Sequence, residues 1–92
     1  MKIFELLPVF LDEITGELEE GKLYISEQYE CAIHLCACGC KGKTVTPLGA
    51  NDWTLIKNTE NNVSLSPPIA NWNGENPPHA HYYITNNKIV WL

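Results

Sequence analysis

The side chains best suited to chemistry in this sequence are sulfur and imidazole. Cys36, Cys38 and Cys40 alternate, with Gly39 between the last two, and His79 and His81 stand two apart much later in the chain. Thiolates favour zinc, copper(I) or iron–sulfur clusters. Three closely spaced cysteines supply too few thiolates for an ordinary four-cysteine cluster, and adding an imidazole points to tetrahedral zinc. On an extended strand the three cysteines would share one face; Gly39 lets the backbone turn so that the sulfurs converge. His79 and His81 would also share a face on a strand, so both are candidate ligands. A metal closing so long a loop would staple the domain as well as offer a centre for chemistry.

Two kinds of site follow from the donor count. Three thiolates and one imidazole make a closed, structural site, whereas two thiolates, one imidazole and an open position leave room for a water. Zinc lowers the pKa of such a water towards neutrality, and hydrolysis would then need a general base. Glu27 and Glu30 are the acidic residues nearest the cluster in sequence, with Asp52 and Glu75 as alternatives from loops; each also reads as a plain surface carboxylate. His34, two residues before Cys36, reads as a ligand, a proton shuttle or a satisfied core histidine. Glu27 and His34 are therefore the candidate catalytic residues. The motif H-E-x-x-H is absent, which excludes helical metalloproteases as a pattern. The cysteines have blander readings too, as small buried residues or as a disulfide between Cys31 and the cluster in an oxidising compartment. Cys31 alternates with Ile33 and Leu35 and reads as a core residue. Tyr82, Tyr83, Trp53, Trp72 and Trp91 read as core and strand residues rather than a stacking platform.

The chain around these residues has 92 positions, enough for one small domain, residues 1–92, whose modest core would benefit from a metal staple. With 45% hydrophobic and 18% charged residues it is globular in composition rather than disordered. Its net charge is -5, from 6 basic and 11 acidic residues, and the basic ones are scattered. That argues against nucleic acid and anionic membrane surfaces as partners. The longest apolar run, Leu6 to Leu11, is too short to span a bilayer and carries Pro8. The N-terminus lacks a signal-peptide pattern, so the expected location is the cytoplasm, where thiols stay reduced.

The elements that must position the cluster read as strands. Lys2 to Leu11 is rich in β-formers, and Pro8 makes it an edge strand. Residues 14 to 21 read as a solvated turn or a frayed short helix. Leu23 to Ser26, Cys31 to Leu35 and Lys43 to Thr46 are short strands, the last stopped by Pro47. Trp53 to Lys57 and Val63 to Ser66 form a hairpin across Asn58 to Asn62, and His81 to Thr85 with Lys88 to Trp91 form another across Asn86-Asn87. Pro67 to Pro78 reads as an ordered surface loop. No segment has a long helical period. The expected fold is mainly β, with antiparallel hairpins in two short sheets or a partly open barrel.

One ordered set of segments resembles a known family. It runs from Leu23-Tyr24-Ile25-Ser26 through Ala32-Ile33-His34-Leu35-Cys36-Ala37-Cys38-Gly39-Cys40, Thr46-Pro47-Leu48 and Trp53. It continues with Val63-Ser64-Leu65-Ser66-Pro67, Ile69-Ala70-Asn71-Trp72 and His81-Tyr82-Tyr83-Ile84 to Val90-Trp91. Over most of its length the chain is similar to a small bacterial metal-binding family encoded beside ubiquitin-like proteins and their activating and conjugating enzymes. The resemblance implies a zinc-dependent peptidase that matures a ubiquitin-like modifier or removes it from targets, in an antiphage-defence setting. It carries over Cys36, Cys38, Cys40 and His81 as metal-site residues and His34 as their neighbour. There is a departure: where the family often reads Cys-x-Ser-His-Tyr, this chain reads Pro78-His79-Ala80-His81-Tyr82. A cysteine is thus proline and a serine is alanine, and either His79 replaces the missing ligand or the site is altered. A second expectation is a non-catalytic, zinc-stapled interaction module whose proline loop and Trp72 dock a conjugating enzyme. Four protein ligands would favour the module, and three with a water the hydrolase.

Overall fold

The computed structural model describes residues 2–58, 61–71 and 79–92. Eight strands run in order: β1 (Leu7–Phe10), β2 (Lys22–Ser26), β3 (Cys31–Leu35), β4 (Lys43–Pro47), β5 (Thr54–Lys57), β6 (Val63–Asn71), β7 (Ala80–Thr85) and β8 (Lys88–Trp91). They form two four-stranded sheets, β1-β2-β3-β4 and β5-β6-β7-β8, not closed into a barrel. Within each sheet, strands adjacent in sequence are adjacent in space. Every strand pair is antiparallel except β1 with β2, which is parallel. Among the described residues no helix is long and apolar enough to cross a membrane.

The N-terminal segment does two jobs rather than forming one edge strand. The Ile89 N–H donates to Phe4 O at 2.9 Å and the Leu6 N–H to Asn87 O at 2.7 Å, so residues 4–6 run along the free side of β8. The chain then continues into β1, at the edge of the first sheet, where Pro8 has no N–H to leave unpaired. Residues 11–21 are bends and a turn with no helix, and Gly16 and Gly21 sit at φ +82° and +83°.

The two sheets share one core. Leu23, Ile25 and Ala32 from the first meet Leu65, Ile69, Tyr82 and Ile84 from the second. Strand β7 alternates cleanly, with Ala80, Tyr82 and Ile84 buried and His81, Tyr83 and Thr85 exposed. Its hairpin to β8 turns on Asn86 and Asn87 at φ 48° and 69°, left-handed values that asparagine tolerates.

Two sequence expectations are corrected. Strand β3 has the expected period but the opposite phase. Ala32 and His34 point into the core, while Cys31, Ile33 and Leu35 lie half-buried on the other face. Alternation fixes the period alone; the polar anchor that turns His34 inward decides the phase. Pro67 to Asn71, expected as loop, belongs to β6. The register between β6 and β7 shifts between Leu65 and Ile69, an irregularity that lets strand pairing resume beyond the prolines. Residues 72–78, including Trp72 and Glu75, lie outside the described residues.

Candidate metal centre

The connection from β3 to β4 is where the sulfurs gather. After Leu35 the chain leaves the sheet and turns through residues 37–40. Gly39 sits at φ +94° and Lys41 at +63°, and the turn is closed by Gly39 N–H to Cys36 O at 3.1 Å and Cys36 N–H to Gly42 O at 2.7 Å. The missing side chain of Gly42 leaves room for sulfur, since a Cβ there would stand 3.3 Å from Cys40 Sγ. The turn is tied to the N-terminus by the Ile3 N–H, which donates to Ala37 O at 2.6 Å.

His79 arrives from the second sheet. It occupies a bend just before β7, and its N–H donates to Asn71 O at 2.9 Å. The ligand atoms of Cys36, Cys38, Cys40 and His79 all lie within 4.8 Å of one another. Cys36 Sγ is 3.4 Å from Cys38 Sγ and 3.8 Å from His79 Nε2, and Cys40 Sγ is 3.9 Å from the same nitrogen. A tetrahedron with zinc–sulfur bonds near 2.3 Å and zinc–nitrogen bonds near 2.05 Å has edges of about 3.8 Å and 3.6 Å. The donor set fits zinc in chemistry, and three of its separations lie near those edges, with all of them within 4.8 Å.

His81 is not in this group. It lies inside β7 with its side chain exposed, while His79 precedes the strand, so the same-face rule for residues two apart does not link them. Cys31 is also outside the group, and all four cysteines are free thiols.

Neither candidate acid–base residue stands beside the cluster in an accessible position. Glu27 and Glu30 precede β3 and the cysteines follow it, which separates them by about 17 Å of extended strand. Glu27 Oε2 accepts from Lys57 Nζ at 2.9 Å, and both glutamates line a depression with Trp53 and Leu55. His34 is fully buried. Its Nε2 is 2.7 Å from the Tyr82 hydroxyl, and its Nδ1 has no hydrogen-bond partner among the described residues. Burial pushes the imidazole down to about 4, so it is neutral at physiological pH. Burial also raises Tyr82, followed by smaller contributions that include the nearby Cys36 sulfur.

Sequence reasoning missed the polar groups behind the sulfurs. Asn71 Nδ2 donates to Cys36 Sγ at 3.1 Å and to Thr44 Oγ1 at 3.1 Å, and it lies 3.5 Å from the Tyr82 hydroxyl. The Ala37 N–H points at that hydroxyl from 3.4 Å, and the Gly42 N–H donates to Cys40 Sγ at 3.4 Å. The one available signal was Asn71 itself, an amide closing an otherwise apolar stretch.

The model of a family described as "Bacterial ubiquitination-like system serine protease (BubE)" matches residues 10–92. No curated protein and no solved structure matches the chain.

Proposed function

The chain belongs to the BubE family of bacterial ubiquitination-like systems, and on that premise we propose that it is a cytoplasmic peptidase or isopeptidase of a ubiquitin-like modifier, stapled by zinc. Its partners are that modifier and the activating and conjugating enzymes of the same system. Cys36, Cys38, Cys40 and His79 hold the metal, and the observation that carries this is the convergence of their donor atoms, all within 4.8 Å of one another. Zinc held by four protein ligands supplies a rigid cross-link, whereas with three it supplies a Lewis acid that activates water. The four-donor set supports the cross-link. His79 is therefore preferred to His81 as the imidazole ligand, and the metal joins the β3–β4 turn of one sheet to the start of β7 in the other.

With zinc assigned to holding the fold, hydrolysis would draw on the serine in the family's description. Of the chain's serines, Ser26 is fully buried; its hydroxyl donates to Asp12 O and accepts from the Tyr29 N–H. The Ser64 hydroxyl accepts from the Asn86 N–H. Ser66 alone is exposed, and on the neighbouring strand the exposed face carries His81 and Tyr83. Ser66 is the candidate nucleophile; strand register sets His81 opposite Ala70, four residues along β6 from it, and the serine of the family motif is Ala80 here.

The test is to incubate zinc-loaded protein with the precursor and the conjugates of its own modifier. Cleavage is expected, with loss in Ser66→Ala and retention in Glu27→Gln. A zinc-loaded, folded protein that leaves every such substrate intact would overturn the peptidase reading. It would favour the second one, a non-catalytic zinc-stapled interaction module, which the closed donor set and the burial of His34 also support.

A further inference from the structure

We propose that Asn71 is a positioning residue of the metal centre, holding a sulfur ligand from one sheet and an imidazole ligand from the other in register. The inference rests on the zinc reading of the Cys36, Cys38, Cys40 and His79 cluster and goes beyond it to what orients those ligands.

Asn71 is the last residue of β6 and pairs with Ala80, the first residue of β7. Its backbone carbonyl accepts the His79 N–H at 2.9 Å, which fixes the bend that presents the imidazole. Its side-chain amide reaches across to the other sheet and donates to Cys36 Sγ at 3.1 Å. One residue thus grips two ligands that are far apart in sequence and arise from different sheets. An amide has two N–H donors, and the short contacts use both, one on Cys36 Sγ and one on Thr44 Oγ1. Thr44 is buried on β4, so it fixes the amide in the orientation that aims the other N–H at sulfur.

An N–H directed at a thiolate stabilises its negative charge in a site where Cys36 is shielded from water. Such outer hydrogen bonds orient metal ligands and tune their donor strength. Asn71→Asp keeps the shape but replaces the donor with a carboxylate that repels the thiolate. Asn71→Ala removes the side chain altogether. Neither substitution touches the backbone carbonyl that holds His79, so the two variants separate the side-chain amide, with its bonds to Cys36 and Thr44, from the bond to His79, and the sulfur-specific readouts below single out Cys36.

The experiment compares zinc affinity, by competition with a chromophoric chelator, in the full chain and in Asn71→Asp, Asn71→Ala and Asn87→Ala. Asn87→Ala loosens the fold away from the cluster and serves as the control. About ten- to hundred-fold weaker zinc binding is expected in the Asn71 variants, with little change in the control. With cobalt(II) in place of zinc, the sulfur-to-metal charge-transfer band should move to lower energy in the Asn71 variants alone. Affinity within about threefold of the parent, with an unmoved band, would overturn the assignment. An equal loss in Asn87→Ala would do the same. Should the Asn71 variants fail to fold, the parent loaded with a spin-active cadmium isotope carries the test. A scalar coupling between cadmium and the Asn71 side-chain amide protons, transmitted through Cys36 sulfur, is expected, and its absence refutes the contact. A parent that binds no metal at all fails the zinc reading itself, which separates that failure from this one.

Discussion

The histidines show how much at the residue scale depends on a small displacement along the backbone. His79 lies just outside β7 and joins the sulfurs; His81 lies just inside it with its side chain exposed. His79→Ala should therefore weaken zinc binding by about two orders of magnitude or more, while His81→Ala should leave it unchanged, as measured by chelator competition. Equal effects in the two variants would contradict the ligand set. His34 presents a different consequence. Its neutral form is the one that the folded protein holds, because burial depresses it from 6.5 to about 4. A histidine with a depressed folded pKa binds its proton more readily when unfolded, so stability is intact above about pH 6.5. It falls as the pH drops through that value, and the loss is complete near pH 4. The full loss attributable to this group is roughly 3 kcal/mol. Urea unfolding against pH should show the decline, reduced in His34→Gln, and an unchanged slope in that variant would remove His34 as the cause.

At the scale of elements, the hairpins carry their own instructions, yet one of them also serves its neighbour. Asn87 takes a left-handed φ of 69°, and its Oδ1 accepts the Val63 N–H at 2.7 Å, tying the β7–β8 turn to the start of β6. Its amide donates to Asn62 Oδ1 at 2.8 Å. Asn87→Ala combines backbone strain at a positive φ with an unsatisfied, part-buried N–H. It should cost about 2 kcal/mol, read as a lower denaturation midpoint with an unchanged slope. A neutral effect would mean that the turn rearranges without strain. The β3–β4 turn does both: it buries Cys36 and Ala37 in the core and brings three sulfurs together next to Gly42.

Across the whole molecule, two four-stranded sheets share a core, and the cluster sits where the β3–β4 turn of one faces the start of β7 in the other. A metal at that junction restrains the sheets relative to each other, and whatever binds only the folded state stabilises it by mass action. Stripping zinc with a strong chelator should lower the melting temperature by on the order of ten degrees or more. Restoring zinc should return it. A melting temperature indifferent to chelator would show that the core alone holds the sheets together.

Most of the strands, the Asn86-Asn87 turn and the three-cysteine turn were legible in the sequence, because each depends on local chemistry: alternation, tolerance of positive φ, and sulfur spaced around a glycine; the reach of β6 through Pro67 to Asn71 was not. The gathering of sulfur and imidazole that could hold a metal was legible for the same reason. Other features were decided by contacts between distant segments. The sequence could not say that β3 turns His34 rather than Cys31 inward, because alternation has no phase until Tyr82 from the other sheet supplies a hydroxyl. It could not choose His79 over His81, because that choice depends on where β7 begins, which pairing with Asn71 sets. Nor could it reveal that Asn71 reaches Cys36, since a hydrogen bond between sheets exists only once the shared core has brought them together.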